Sequence, residues 1–308
     1  MRDRVDTERG GGLAGIKHGE LLLPGAAEIV RFGIMDGPEN MIESSASSRD
    51  RLSVFFRLFS LSVVPLRPAG DEPANMVIGL AADGVPAIAL GARARDVVSV
   101  VSAAARIDFE GSANPLMRAM PDPLVVPLAA GTALSAVAEN FMAELETGRC
   151  GAPLAIDYLG RLILLMVLRH AIEAGAADAG LLAGLAHPNI YPALVAIHEQ
   201  PQRNWQAGDL AALAGLSRTR FMTLFAGTVG TPPIAYLNGW RLALGRRALA
   251  RGGMIKTVAR QVGYGSAAAF SRAYARHFGS APAAARASVG RGAASSLTRI
   301  APRATPRP

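Results

Sequence analysis

Apolar positions change their spacing along this chain, and each change predicts a different kind of element. Between residues 50 and 127 they come in short runs: Val54–Phe59, Leu61–Leu66, Met76–Leu80, Ile88–Leu90, Val97–Val101 and Arg106–Phe109. Pro65, Pro68-Ala69-Gly70, Asp83-Gly84 and Pro86 punctuate them. Such runs predict the strands of a small barrel or sandwich, although Val54–Phe59 fits a short helix equally well. From Leu134 the spacing becomes three and four, through Val137, Ala138, Phe141, Met142 and Leu145. That is the stripe of an amphipathic helix. A second helix is expected from Leu154 to Ala174, closed by Gly175, and a third from Pro188 to Glu199. The second is apolar on most faces, so the barrel, the first helix or a second subunit must cover it. Residues 1–49 hold loop signals (Gly10-Gly11-Gly12, Gly37-Pro38, Ser44–Ser48) and read as a flexible extension, with Met1, Met35 and Met41 as alternative start codons.

The C-terminal part contains a repeat. Leu210-Ala211, Gly215, Ser217, Phe221, Phe225, Gly230 and Pro233 recur as Val258-Ala259, Gly263, Ser266, Phe270, Tyr274, Gly279 and Pro282. The offset is 48 residues up to the glycine and 49 after it, so the second turn is one residue longer. Such an ordered recurrence marks a duplicated supersecondary unit. In each copy a short helix precedes a glycine turn, a serine can cap the next helix, and aromatics four apart share its buried face. Helix, tight turn, helix is the helix-turn-helix, whose second helix can enter the DNA major groove. Between the copies, Pro232-Pro233 opens a connector helix, Ile234–Ala250, carrying Trp240, Arg241, Arg246 and Arg247.

Charge sharpens this picture. The net charge is +8, but residues 1–185 hold 16 basic against 22 acidic residues, and residues 186–308 hold 16 against 2. A sign reversal between halves argues for two domains with different partners, the basic one facing a polyanion. A length of 308 residues fits two domains, and 50% hydrophobic residues exclude global disorder. The single cysteine, Cys150, excludes a disulfide scaffold and a cysteine zinc site. The N-terminus lacks the apolar core of a secretory signal, and Leu159–Ile172 is too short and too charged to span a membrane. A cytoplasmic protein without membrane contact is expected.

The residues Trp205, Asp209-Leu210-Ala211, Gly215-Leu216-Ser217-Arg218, Phe221, Phe225, Gly230, Pro233, Tyr236-Leu237, Trp240-Arg241-Leu242, Val258-Ala259, Val262-Gly263-Tyr264, Ser266, Ala269-Phe270-Ser271-Arg272-Ala273-Tyr274, Phe278-Gly279 and Pro282 together resemble the DNA-binding domain of AraC/XylS-type transcription regulators. The resemblance covers about Pro188 to Arg286. It implies an all-α domain of two helix-turn-helix units joined by a connector helix. Base-reading candidates carried over by position are Arg218, Thr219, Met222 and Thr223 on the first recognition helix, and Ala267, Ala268, Ala269 and Arg272 on the second. Ser217, Arg220, Arg246, Arg247, Ser266 and Arg276 complete the expected DNA contacts. Alanine can touch only a thymine methyl or allow close approach, so the second head is expected to contribute mostly phosphate contacts. Upstream, Arg106-Ile107-Asp108-Phe109, Asn114-Pro115-Leu116 and Pro121–Pro127 resemble regulators with a cupin-type sensor domain, here a degenerate barrel.

The expected fold is therefore α+β and multidomain: extension 1–49, cupin-like sensor or dimerisation domain with trailing helices 50–185, DNA-binding domain 186–287, and basic tail 288–308. The resemblance implies promoter DNA as partner, recruitment of RNA polymerase, a homodimer, and a small-molecule effector of unknown identity. Two rivals remain at this stage. A cupin enzyme fused to a DNA-binding domain would commonly hold a metal through histidines, but none lies between residues 19 and 169. No phosphate-cradling glycine loop is present either, so no cofactor and no catalytic residue is expected. A nonspecific or architectural DNA-binding protein is the second rival, and the acidic N-terminal half argues against it.

Overall fold

The computed structural model describes residues 50–285, apart from residues 71 and 111–113. The N-terminal extension, its alternative start codons and the basic tail lie outside the described residues. Residues 53–58, open between strand and helix in the sequence, form a helix, α1 (Ser53–Leu58), with Phe55 fully buried. Asp50 accepts the Leu52 and Ser53 amides at 3.2 and 3.0 Å and fixes its start.

Five strands follow: β1 (Ser62–Leu66), β2 (Met76–Ala81), β3 (Pro86–Leu90), β4 (Val98–Asp108) and β5 (Leu124–Pro127). They form one antiparallel sheet in the order β1-β4-β2-β3-β5, with Val64 opposite Arg106, Ile78 between Ile88 and Ala103, and Ala89 opposite Val125. Among the described residues no pairing joins β1 to β5, so the expected barrel is an open sheet. The runs Val97–Val101 and Arg106–Phe109 are parts of the single strand β4. Between them Ala103–Ala105 are weak strand formers, but all three are buried and pair with β2, and Ala104 and Ala105 pair with β1 as well. Tertiary packing overrides propensity there.

Alternation sorts the sheet into two faces. Met76, Ile78, Ile88, Leu90, Ala105, Ile107, Leu124 and Val126 join the main core. Val77, Ala89 and Ala104 line a smaller, alanine-rich cluster with Ala94 and Val98. Helix α2 (Pro115–Arg118), capped by Asn114, precedes β5, and α3 (Ala133–Thr147) and α4 (Ala152–Glu173) follow it. Helix α4 buries Ile163, Leu164, Val167 and Leu168 and passes β1 so closely that a Cβ on Gly160 would lie 2.6 Å from Val63. Its opposite face stays open, with Leu154 58%, Tyr158 61% and Leu162 40% exposed.

Seven helices follow: α5 (Leu181–Ala186), α6 (Tyr191–Glu199), α7 (Ala207–Leu213), α8 (Arg218–Val229), α9 (Pro233–Ala250), α10 (Ile255–Gln261) and α11 (Ala267–Phe278). The expected third helix starts at Tyr191 rather than Pro188, with Pro192 in its first turn. Helix α1 packs onto this region: the Phe55 ring lies 4.9 Å from His198 and 5.4 Å from Trp240, and Phe59 lies 5.9 Å from Trp240. One core thus runs from the sheet through α1 into α6–α9. A second, separate cluster joins Leu242 and Leu249 to Val258, Ala259, Val262, Phe270 and Tyr274.

Candidate nucleic-acid interface

Each sequence repeat is a helix-turn-helix in the fold, α7–α8 and α10–α11. The turns need backbone with positive φ, supplied by Gly215 at 65° and Gly263 at 86°. Asp209 accepts the Gln206 amide at 3.0 Å and opens α7. Ser217 Oγ accepts the Arg220 amide at 3.4 Å, and Ser266 Oγ accepts the Ala269 amide at 3.1 Å. Both serines therefore cap the second helix of their unit, as expected. Phe221 and Phe225 bury one face of α8, and Phe270 and Tyr274 bury the matching face of α11.

What remains on the other faces is the candidate interface. On α8, Arg218, Thr219, Arg220 and Thr223 are exposed and Met222 is half-buried. On α11, Ala268, Arg272 and Arg276 are exposed, with Ala267 and Ala269 half-buried. The side chains of Arg218, Arg220, Arg272 and Arg276 make no hydrogen bond or ion pair among the described residues. Lys256 and Arg260 on α10 are exposed as well. Their signal was charge alone, since the first helix of such a unit crosses the phosphate backbone.

The connector arginines stand apart from this set. Arg241 donates to the Pro201 and Arg203 carbonyls at 2.7 and 2.9 Å and pins the loop after α6 beside the second turn. A Cβ on Gly263 would lie 2.8 Å from Gln202 there, so the two units meet closely. Arg246 stacks over the Phe278 ring at 4.7 Å. Arg247 Nε donates to Glu110 Oε1 at 2.8 Å, with the two side chains 13% and 23% exposed. The structure thus places Arg246 and Arg247 in packing contacts rather than on the exposed faces of α8 and α11. Glu110, the partner of Arg247, carried no sequence signal.

Local electrostatics follow from burial and these cations. Burial is the larger cause that lowers the His277 imidazole below its ordinary value, with Arg118 and Arg246 adding to it. Burial raises the Tyr264 phenol against the opposing pull of Arg241 and Arg276. Among the described residues no group of three or more His, Cys, Asp or Glu side chains could hold a metal ion, and no helix is long and apolar enough to cross a membrane.

Residues 210–288 match the family model of a helix-turn-helix domain, and residues 62–173 match that of a cupin. A putative AraC-like transcription regulator of Streptomyces lividans is 39% identical over 141 residues, covering 45% of this chain and 46% of that protein. The HTH-type transcriptional regulator AlkR of Acinetobacter baylyi is 33% identical over 202 residues, covering 64% of this chain and 65% of that protein. A solved transcriptional regulator with an AraC-type DNA-binding domain, from Chromobacterium violaceum, aligns at 27% identity and a TM-score of 0.32, over 34% of this chain and 94% of its own. The chain spans about half the length of the Streptomyces relative and just under two thirds of the Acinetobacter one. By these matches residues 62–173 are similar to a cupin domain and residues 210–288 to a helix-turn-helix domain, and the Streptomyces and Acinetobacter relatives are named as transcription regulators.

Proposed function

We propose that this chain is a sequence-specific regulator of transcription that reads promoter DNA with α8 and α11. The observation that carries the reading is the pair of capped recognition helices, each presenting unpaired arginines and both tied to one connector. That connector has 18 residues and spans about 27 Å, of the order of one DNA turn. Arginine suits both phosphate oxygens and the guanine edge. Base discrimination is assigned to Arg218, Thr219, Met222 and Thr223, with Ser217 and Arg220 beside them. The alanine surface 267–269 reads at most thymine methyls, with Ser266, Arg272 and Arg276 on phosphate.

The reading extends to a cytoplasmic protein without a catalytic step. Residues 50–185 serve as sensor and dimerisation domain, residues 186–287 bind DNA, and the basic tail 288–308 adds nonspecific phosphate attraction. RNA polymerase is the partner at the promoter. The open face of α4, with Leu154, Tyr158 and Leu162, is the surface assigned to a second copy. An effector has room in a cavity of about 310 Å³ lined by Leu90, Ile107, Met117, Arg118, Met120 and Leu164.

The test is selection of sites from random double-stranded DNA with the full chain. A two-block motif about one helical turn long supports both heads. A motif under α8 alone leaves α11 on phosphate. No enrichment by folded protein removes the specific regulator and leaves a nonspecific binder. On the selected site, Arg218→Ala is expected to cost about 1–3 kcal/mol and relax one position, whereas Arg272→Ala weakens all sequences alike and flattens the salt slope by about one unit.

A further inference from the structure

We propose that the N-terminal domain regulates the DNA-binding half through Glu110, which competes with DNA phosphate for the Arg247 guanidinium. This rests on the DNA-binding reading above and adds its control. Arg247 stands in the connector's arginine pair, and its neighbour Arg246 is held within the C-terminal domain by Phe278. Arg247 instead crosses to the other domain. Its Nε donates to Glu110 Oε1 at 2.8 Å, and its guanidinium carbon lies 5.6 Å from the Phe59 ring. The same Glu110 oxygen accepts the Ser60 amide at 2.7 Å. One turn further on, just past the end of α9, Arg251 Nη2 donates to Ser60 Oγ at 3.2 Å. Two arginines four residues apart are thus tied to two adjoining points of the N-terminal domain, the start of β1 and the end of β4.

Two features make the contact a built clasp. Glu110 adopts a left-handed backbone at φ 57°, a conformation that L side chains with a Cβ rarely take. The Asp108 carboxylate accepts the Glu110 amide at 3.0 Å and holds that turn. Burial also makes the two uses of Arg247 exclusive. At 13% exposure the side chain cannot meet a phosphate until it leaves Glu110. Carboxylate and phosphate both take the planar guanidinium fork, so one replaces the other in kind. Closed, the clasp removes a cation from the DNA-binding surface, and open, it returns one.

Counterion release reads this count directly. Each phosphate contact adds about 0.9 to the slope of log affinity against log salt on duplex DNA. The experiment measures that slope for the full chain on a mixed-sequence duplex, with wild type, Glu110→Gln, Arg247→Gln and the double variant. Glu110→Gln is expected to bind several-fold tighter at low salt, with a slope steeper by about one. Arg247→Gln should leave the wild-type slope unchanged, and the double variant should return to it. Glu110→Asp, one methylene shorter, covers the case in which Glu110→Gln does not fold and should move the slope the same way. A flatter slope in Arg247→Gln alone would place Arg247 on DNA already and overturn the proposal. Unchanged slopes in folded Glu110 variants would reduce the clasp to packing, with DNA binding intact. Absence of any salt-dependent binding by the wild type would remove the DNA-binding reading itself, and the competition with it.

Discussion

His198 is a titratable side chain buried almost completely away from water. It is 1% exposed, enclosed by Phe55, Tyr236 and Trp240. Its Nε2 meets the Tyr236 hydroxyl at 2.7 Å, and its Nδ1 has no partner among the described residues. Burial disfavours the imidazolium and lowers the group from 6.5 to about 3. The unfolded chain therefore takes up this proton near pH 6.5, whereas the native chain refuses it until about pH 3. The stability tied to neutral His198 is complete above pH 6.5 and falls as the pH drops through that window, by about 1.4 kcal/mol per unit. Urea unfolding at about pH 7.5 and 5.5 checks it, one pH unit either side of the unfolded value. Wild type should lose about 1.4 kcal/mol more than His198→Gln between these conditions. Equal losses would mean that the ring is protonated inside the fold.

Helix α9 carries two glycines that predict opposite outcomes at the level of the element. A Cβ on Gly245 would lie 2.7 and 2.9 Å from ring atoms of Phe270, itself fully buried. A Cβ on Gly239 would meet nothing closer than His277 at 4.0 Å. Alanine gains about 1 kcal/mol over glycine in a helix, while overpacking a core costs about 1–3 kcal/mol. Gly245→Ala should therefore lower Tm by roughly 2–4 °C, and Gly239→Ala should raise it by a similar amount, in parallel thermal melts. A rise in both would mean that α9 and α11 do not cross closely at residue 245. These same elements were the legible part of the sequence. Glycine turn, serine cap and aromatics at a spacing of four are local signals, and α7–α8 and α10–α11 follow them. The alanines of β4 hid a strand because their strand character comes from neighbours alone. Helix α5, six residues long, is too short to show a period. Arg246 and Arg247 read as exposed charge because their partners are distant in sequence, Glu110 by 137 residues from Arg247.

At the scale of the whole molecule, the division of the core matters more than the division of the sequence. The sheet, α4, α1 and the first helix-turn-helix share one apolar core, whereas the second unit has its own cluster on the far part of α9. Phe55 is a bridging side chain, since its ring packs against both His198 and Trp240 from the N-terminal domain. A fragment beginning at residue 186 would expose these rings, so the N-terminal domain contributes stability to the first helix-turn-helix unit. Truncating a buried phenylalanine costs about 3–5 kcal/mol. In Phe55→Ala, amide exchange should therefore quicken together in α4, α6 and α8, which open with the shared core. Amides of α10 and α11 should already exchange by a cheaper local opening in wild type and keep their rates in the variant. Loss of protection in α11 in step with α4 would make the chain one cooperative unit. The second head would then depend on the N-terminal domain as directly as the first.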